Sequence, residues 1–346
     1  MPDTAQPEAL FDEINGVADD IESWQNLIWG SKPEFQKVGM RSGERSFTGS
    51  LSRTILDRVS THRIQAETRN HAVVRTPQHI RHTVEPHYVF MFQLEGRTEF
   101  HQRLPQQPLP PRAAGQPQQQ TRSMLRPGDF TLTHSGTPYT WLFPEDFEVY
   151  MLILPQALID VPPGALRRLS GSAIRSDGPF GQCLTSFIDA IAYDQEALRS
   201  PVGMRAMRSL VDVVSTRVVA EIDATSTDRE RPSLALFRRL TDYISQHLGD
   251  PELSPATVAQ ANYISVRYAQ AIFQGYDTTI TSWVRERRLS RVREDLGDPL
   301  HAHRSIGDIA GSWGLVDQAS FSRSFRLSFG ESPSQWRARA DVRTEP

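Results

Sequence analysis

The chain has 346 residues, enough for two domains that each bury a core of their own. Its 38% hydrophobic and 23% charged residues are those of a globular protein, and an apolar run such as Tyr150 to Leu154 is far shorter than the roughly 18 residues that cross a bilayer. A membrane-spanning role is excluded, and the formal net charge of -3 singles out no class of partner.

The opening MPDTAQPEALFDE has neither a basic nor an apolar segment, so no secretory signal is visible and a cytoplasmic protein is expected. Residues from about Ala9 to Trp29 read as helical. Between about Leu56 and Leu154 the period becomes two: Tyr88, Phe90, Phe92 and Leu94 alternate with Val89, Met91 and Gln93 before a turn at Glu95 and Gly96. Two more strands bracket Arg126-Pro-Gly-Asp129. Short strands with Gly/Pro turns predict a small antiparallel barrel or jelly roll, with the Pro/Gln-rich stretch from Leu104 to Gln120 as an extended hairpin loop.

From Phe180 to Ile222 two amphipathic helices follow. The second carries Leu210, Val213, Val214 and Val218, a face able to pack on the barrel or on a second copy of the chain. Cys183, the single cysteine, can form neither an intrachain disulfide nor a thiolate-rich metal site, and it reads as a small buried apolar residue. The polar stretch from Ala224 to Ser233 marks the domain boundary, giving domains at 1–224 and 234–346 joined by a linker at 225–233. The second part holds 14 basic and 13 acidic residues, so any affinity for nucleic acid must come from local arrangement. Of the 38 basic residues only Lys32 and Lys37 are lysines, and arginine is the better reader of phosphate and guanine.

Two helix-turn-helix units are predicted in this second part, at about 254–274 and 305–328. In the first, Ser254 caps a helix with Pro255 at its first position, Asn262 ends it in a left-handed turn, and a second helix starts at Ser265. Ala269, Ile272 and Phe273 fall on its core side, while Arg267, Gln270, Ala271 and Gln274 fall on the other. In the second unit Ile306, Ile309 and Ala310 form one stripe, Gly314 permits the turn and Asp317 caps the next helix. Phe321, Phe325 and Phe329 are buried there, leaving Ala319, Arg323 and Arg326 outward with Ser322 at the flank. An apolar back with a polar, arginine-bearing front suits a helix that enters the DNA major groove. Between the units the stretch TSWVRERRLSRVREDL, Thr281 to Leu296, forms a helix about 24 Å long, commensurate with one DNA turn of about 34 Å.

The Leu253-Ser254 start, NYISVRY, WVRERRLSRVRE, SIGDIAGSWGLVDQASFSRSFRLSFG and the closing Pro333 and Trp336 together resemble the DNA-binding domain of the AraC/XylS family of transcription regulators, over about Leu234 to Arg337. The resemblance implies that Arg267, Tyr268 and Gln270 enter one major groove and Gln318, Ser322 and Arg323 the next. Gln274 shares the first outward face, and Arg285, Arg287, Arg288 and Arg326 are expected at phosphates, which position without specifying. Ala271 and Ala319 stand where some family members carry longer polar side chains.

The strand-rich part resembles the cupin-like regulatory domain of the same family through LEGRTEF and LRPGDFTLTHSGTPYTW. That resemblance implies a small-molecule effector and a homodimer, with Tyr88, Phe90, Phe92, Tyr139 and Trp141 as candidate pocket lining. A rival reading is a metal-dependent cupin enzyme, since His79, His82, His87, His101 and His134 cluster in sequence. It lacks the paired H-x-H ligands, and Pro138-Tyr139-Thr140-Trp141 stands where the last ligand would follow Gly128-Asp129. No G-x-S-x-G, P-loop or G-x-G-x-x-G is present.

The expectation is therefore an α+β chain of two domains: a cupin-like barrel or jelly roll with accessory helices, and an all-α domain with two helix-turn-helix units. It is read as an effector-responsive activator that binds double-stranded promoter DNA and meets RNA polymerase, with no cofactor, metal or catalytic residue called for. The alternative keeps DNA binding and makes the first domain a dimerisation module without ligand.

Overall fold

The computed structural model describes residues 11–29, 39–41, 47–56, 59–80, 87–103, 120–155, 158–159, 161, 163–193, 198, 200–227 and 231–341. The Pro/Gln-rich stretch at 104–119 and His82 lie outside them. The chain divides into two compact units, one of residues 1–161 and 165–224, the other of 162–164 and 225–346.

The first unit is built on two antiparallel sheets. In chain order its elements are β1 (Phe11–Ala18), α1 (Ile21–Trp29), β2 (Gly39–Arg41), β3 (Thr48–Leu56), β4 (Val59–Glu67), β5 (His71–Arg75) and a single turn, α2 (Pro77–Ile80). There follow β6 (His87–Glu95), β7 (Thr98–Arg103), β8 (Gln120–Leu125), β9 (Phe130–His134), β10 (Tyr139–Phe143) and β11 (Phe147–Pro155). The strand orders are β1-β3-β4-β11-β6-β9 and β2-β5-β10-β7-β8. Among the described residues the sheets do not close into a barrel. Instead, residues after α3 (Pro163–Leu169) seal one side: Gly171 donates its N–H to Leu132 O at 3.0 Å, Ile174 pairs with Phe130, and Ser123 Oγ donates to Gly171 O. Gly171 has φ +83°, and a Cβ there would meet the Phe100 ring, so only glycine fits this seal.

The expected helix from Ala9 splits. Phe11 to Ala18 instead pair along β3, from Phe11 opposite Leu56 to Ala18 opposite Gly49. A neighbouring strand that satisfies the backbone outweighs local helix preference. Only Ile21–Trp29 is helical, capped by Asp20, whose carboxylate accepts from the N–H groups of Glu22 and Ser23.

Period-two alternation splits β6 into two buried faces. Val89 and Met91 join Val149, Met151, Ile153, Phe100, Trp141 and Phe143 in the core between the sheets. Tyr88, Phe90 and Phe92 point the other way, opposite His134, Leu132 and Phe130, and are 0%, 0% and 4% exposed. Ile174 extends the edge of that sheet beside Phe130, and on the outer face Arg63 of β4 stacks 4.3 Å from the ring of Tyr193 in α4 (Pro179–Tyr193) while bonding Glu148 at 2.7 Å. In α5 (Pro201–Thr225), Met207, Leu210, Val214, Val218 and Ile222 are buried within the unit, and Val213 is half-buried. Cys183 is exposed on α4, contrary to the buried position expected from its surroundings, because the helix turns Leu184 inward instead.

The second unit is wholly helical apart from turns: α6 (Arg231–Gln246), α7 (Pro255–Ala261), α8 (Val266–Gln274), α9 (Ile280–Gly297), α10 (Ile306–Ser312), α11 (Gln318–Phe329) and α12 (Pro333–Asp341), with a 3-10 turn at Pro299–His301. Its aromatic core places Phe237 of α6 4.7 Å from Phe273 and 5.5 Å from Trp283.

Candidate nucleic-acid interface

In the first helix-turn-helix, Ser254 Oγ accepts from Thr257 N–H while Thr257 Oγ1 accepts from Ser254 N–H, a reciprocal cap that fixes the start of α7. The turn is held by Arg239 of α6, which donates to Asn262 Oδ1 and to Asn262 O, both at 3.1 Å. Asn262 itself is not left-handed. The positive φ falls one residue later, at Tyr263 (φ 57°), whose ring is 97% exposed. Ser265 caps α8 by accepting from Tyr268 N–H at 3.1 Å. Ala269, Ile272 and Phe273 are buried, so Arg267, Tyr268, Gln270, Ala271 and Gln274 lie exposed on one continuous front.

The second unit repeats the design. Ser305 caps α10, Ile309 and Ala310 are buried, and Gly314 turns the chain with φ +72°. Asp317 caps α11 by accepting from the N–H groups of Ala319 and Ser320. Phe321 and Phe325 are buried and Phe329 is half-buried, which leaves Gln318, Ala319, Ser322, Arg323 and Arg326 exposed. Gln318 reaches back to Gly307 O at 3.5 Å, and Gly330 ends the helix with φ +77°.

The connecting helix α9 has 18 residues, about 27 Å at 1.5 Å each. Its arginines divide by face. Arg285 is exposed, and half-buried Arg287 stacks 4.4 Å from the Trp283 ring. Arg288, expected at a phosphate, is instead 7% exposed and turned inward. Its guanidinium donates to Leu248 O at 2.9 Å, to Gly314 O at 3.1 Å and to Asp250 O. One side chain thus ties the loop that precedes the first unit to the turn of the second. Burial lowers its pKa from the ordinary arginine value, with the Asp250 carboxylate opposing. Gly314 is doubly required, because a Cβ there would sit 2.7 Å from Arg288 Cζ. Arg293 is similarly buried, 3.9 Å from the Trp336 ring, while Trp336 Nε1 donates to Arg293 O.

Two further signals were present in the sequence and pass unnoticed in a motif reading. Arg288 lies four residues from buried Val284 and four from buried Val292, so it occupies the core stripe of α9. Arg239 precedes Leu240, on a helix whose Leu234, Phe237, Leu240 and Ile244 are buried, and nothing local reveals its grip on Asn262.

In the first unit only part of the expected aromatic lining faces the sandwich interior. Tyr139 and Trp141 do, with rings stacked 4.8 Å apart. Tyr88, Phe90 and Phe92 do not, because alternation along β6 turns them under the helical layer. The described histidines are spread out. His87 lies at the start of β6, His101 bonds Glu99 on β7, His134 packs against Tyr88, and His79 bonds Thr76 beside α2. Among the described residues no three His, Cys, Asp or Glu side chains come together as a metal site would require.

Two turns of matched construction, each presenting a polar helix front from an apolar back, define a DNA-binding protein of the helix-turn-helix class. Comparison with known proteins agrees. A helix-turn-helix domain model matches residues 258–339 and an AraC-binding-like domain model matches residues 113–217, together more than half of the chain. The chain belongs to the AraC family of transcription regulators. Among similar proteins, the transcriptional activator NphR of Rhodococcus sp is 25% identical over 282 residues, covering 81% of this chain and 77% of that protein. An XylDLEGF operon transcriptional activator of Pseudomonas putida is 25% identical over 220 residues, covering 60% of this chain and 66% of that protein. The AraC-like transcriptional activator CuxR, a crystal structure, aligns over 86% of this chain and 100% of its own at 19% identity and a TM-score of 0.47. No helix among the described residues is long and apolar enough to cross a membrane.

Proposed function

We propose that this regulator is an effector-responsive activator, working in the cytoplasm, that reads promoter half-sites through both helix-turn-helix units. The observation that carries the reading is the pair of exposed fronts, Arg267, Tyr268, Gln270 and Gln274 on α8 and Gln318, Ser322 and Arg323 on α11, joined by a helix of about 27 Å. Arg267 and Arg323 are suited to guanine O6 and N7, Gln270 and Gln318 to adenine, and Ala271 and Ala319 to the thymine methyl. Arg285, Arg287 and Arg326 flank these fronts and meet phosphates.

The sheet-rich unit is the sensor. Two copies of the chain act on paired half-sites, and effector binding favours the arrangement that engages RNA polymerase. Such a shift requires the effector to bind the two arrangements with different affinity. The similarity to proteins named as transcriptional activators supports activation over repression.

The test is selection of genomic fragments by the full-length protein, then footprinting of the recovered DNA at two salt concentrations. A discrete site protected in successive major grooves is expected. Binding that is equal on all sequences and falls only with salt would refute the reading. Molar mass in solution, measured with and without that site, tests the dimer.

A further inference from the structure

We propose that Tyr263, in the turn of the first helix-turn-helix, holds the DNA sugar-phosphate backbone at the rim of the groove that α8 enters, whatever the base sequence there. The proposal deepens the reading of α8 as a groove-entering helix and rests on it.

The two helix-turn-helix turns are built alike, bond for bond. In the first, Asn262 N–H donates to Ala259 O, Tyr263 N–H to Gln260 O and Ile264 N–H to Ala259 O, at 3.2, 3.1 and 3.1 Å. In the second, Trp313 N–H donates to Ala310 O, Gly314 N–H to Gly311 O and Leu315 N–H to Ala310 O, at 3.2, 2.9 and 3.0 Å. Tyr263 therefore stands where the second turn has Gly314, and both are left-handed.

Glycine adopts that conformation without steric cost, and at 314 Arg288 fills the space a Cβ would need. Tyrosine adopts it only against the crowding of its Cβ with the following carbonyl. Among the described residues the other non-glycine residues with positive φ are Asn70 and Asp277, types whose short polar side chains suit the left-handed region. The turn does not depend on the side chain at 263, because Arg239 grips Asn262 and Asn262 Nδ2 donates to Val258 O at 2.9 Å. Nor does packing explain the residue: at 97% exposure Tyr263 is the most exposed large apolar side chain among the described residues. An unfavourable backbone and an unburied ring at one position point to a contact outside the chain.

That contact is with DNA, because the ring adjoins the front of α8. Tyr263 lies two residues before the cap Ser265, and Ser265, Val266, Arg267 and Tyr268 are all exposed. This end of the second helix of a helix-turn-helix meets the base edges, so the turn just before it comes down beside the groove. A tyrosine suits that place, since its hydroxyl donates to a phosphate oxygen and its ring covers a deoxyribose, neither of which depends on the base.

The test compares full-length protein with its Tyr263→Gly and Tyr263→Phe variants, by gel shift on a selected site and on random duplexes, and by urea unfolding. Tyr263→Gly should weaken binding about tenfold on both kinds of DNA, leaving their ratio unchanged, while the urea midpoint stays the same or rises because the left-handed position is relieved. Tyr263→Phe should lose about threefold. The slope of log affinity against log salt should not change in either, because a neutral phenol displaces no counterion. In ethylation interference, a phosphate beside the α8 groove should matter to the original protein and not to Tyr263→Gly. Undiminished affinity in Tyr263→Gly overturns the proposal, and if transcription in a purified system is then lost, the ring meets a protein instead. A lower urea midpoint makes Tyr263 structural, and a changed ratio between selected and random DNA makes it a base reader; either result overturns the proposal. Gln270→Ala separates the two levels of the argument: if it weakens the selected site while Tyr263→Gly does not, only the proposal for Tyr263 fails, and if neither does, the reading of α8 fails with it.

Discussion

Replacing Arg288 by methionine tests whether the two reading units are held together by one side chain. The guanidinium makes three charge-assisted bonds to backbone carbonyls of Leu248, Asp250 and Gly314. Hydrogen bonds to charged groups contribute about 1.5–3 kcal/mol each, against which stands the cost of burying the charge. A net destabilisation of about 1–3 kcal/mol is expected, since removal of the guanidinium leaves buried carbonyl oxygens without a donor. Gly314→Ala should cost at least the roughly 1–2 kcal/mol of a left-handed alanine, plus the displacement of Arg288 by the new Cβ. Because that second part vanishes once Arg288 is gone, the double variant should fall short of additivity by about 0.5–3 kcal/mol. The assay is urea unfolding of the four full-length proteins. DNA binding supplies a second readout. If Arg288 met a phosphate, its removal would reduce the salt slope by about 1, whereas removal of an internal clamp leaves the slope unchanged and weakens binding at the specific site. Additive stabilities together with a reduced slope would refute the reasoning and return Arg288 to the DNA surface.

Arg323→Ala should cost about 1–3 kcal/mol at a guanine-containing site and relax selection there, whereas Arg287→Ala should weaken binding evenly across sequences; quantitative gel shifts on specific and random duplexes separate the two. Asp317→Ala removes the acceptor for the N–H groups of Ala319 and Ser320, so it should destabilise α11 by about 1 kcal/mol, read by denaturation and by faster amide exchange in that helix. The first unit should lose stability in acid. His62, His71 and His87 are held by burial at about 3, 4 and 4, below the ordinary 6.5, so as pH falls below 6.5 the unfolded chain takes up protons that the folded one refuses. Each histidine then costs about 2 kcal/mol at pH 5, and the loss levels off below the folded pKa. Equal urea midpoints at pH 7 and pH 5 would contradict this.

The helical half of this protein was legible from its own residues because its signals are local. Caps at Ser254 and Asp317, the helix start at Ser265, the turn glycine at 314 and apolar spacing of three and four all act within one or two turns of chain, and each stands in the structure where the spacing puts it, while the cap at Ser305 is seen in the structure alone. The left-handed residue moved by one, from Asn262 to Tyr263, because Arg239 and Val258 O hold the asparagine side chain in the turn. The sheet-rich half was legible as strands, but not as faces. Alternation along β6 says that Tyr88 and Val89 point opposite ways and does not say which way is inward. Both faces are buried, one by the second sheet and one by helices, so polarity gives no hint.

Residues 11–18 show the same limit, since a strand's hydrogen bonds are supplied by a partner distant in sequence. Arg288 shows it most sharply. Among the arginines of α9 it carries the same charge as its exposed neighbour Arg285, and only the packing of α9 against the 248–250 loop and the Gly314 turn decided that it would hold the domain together from within. The amino-acid order alone therefore determined where helices begin, end and turn. Which buried surface each long side chain meets is a property of packing between segments far apart in the chain, and that packing exists only once the fold has formed.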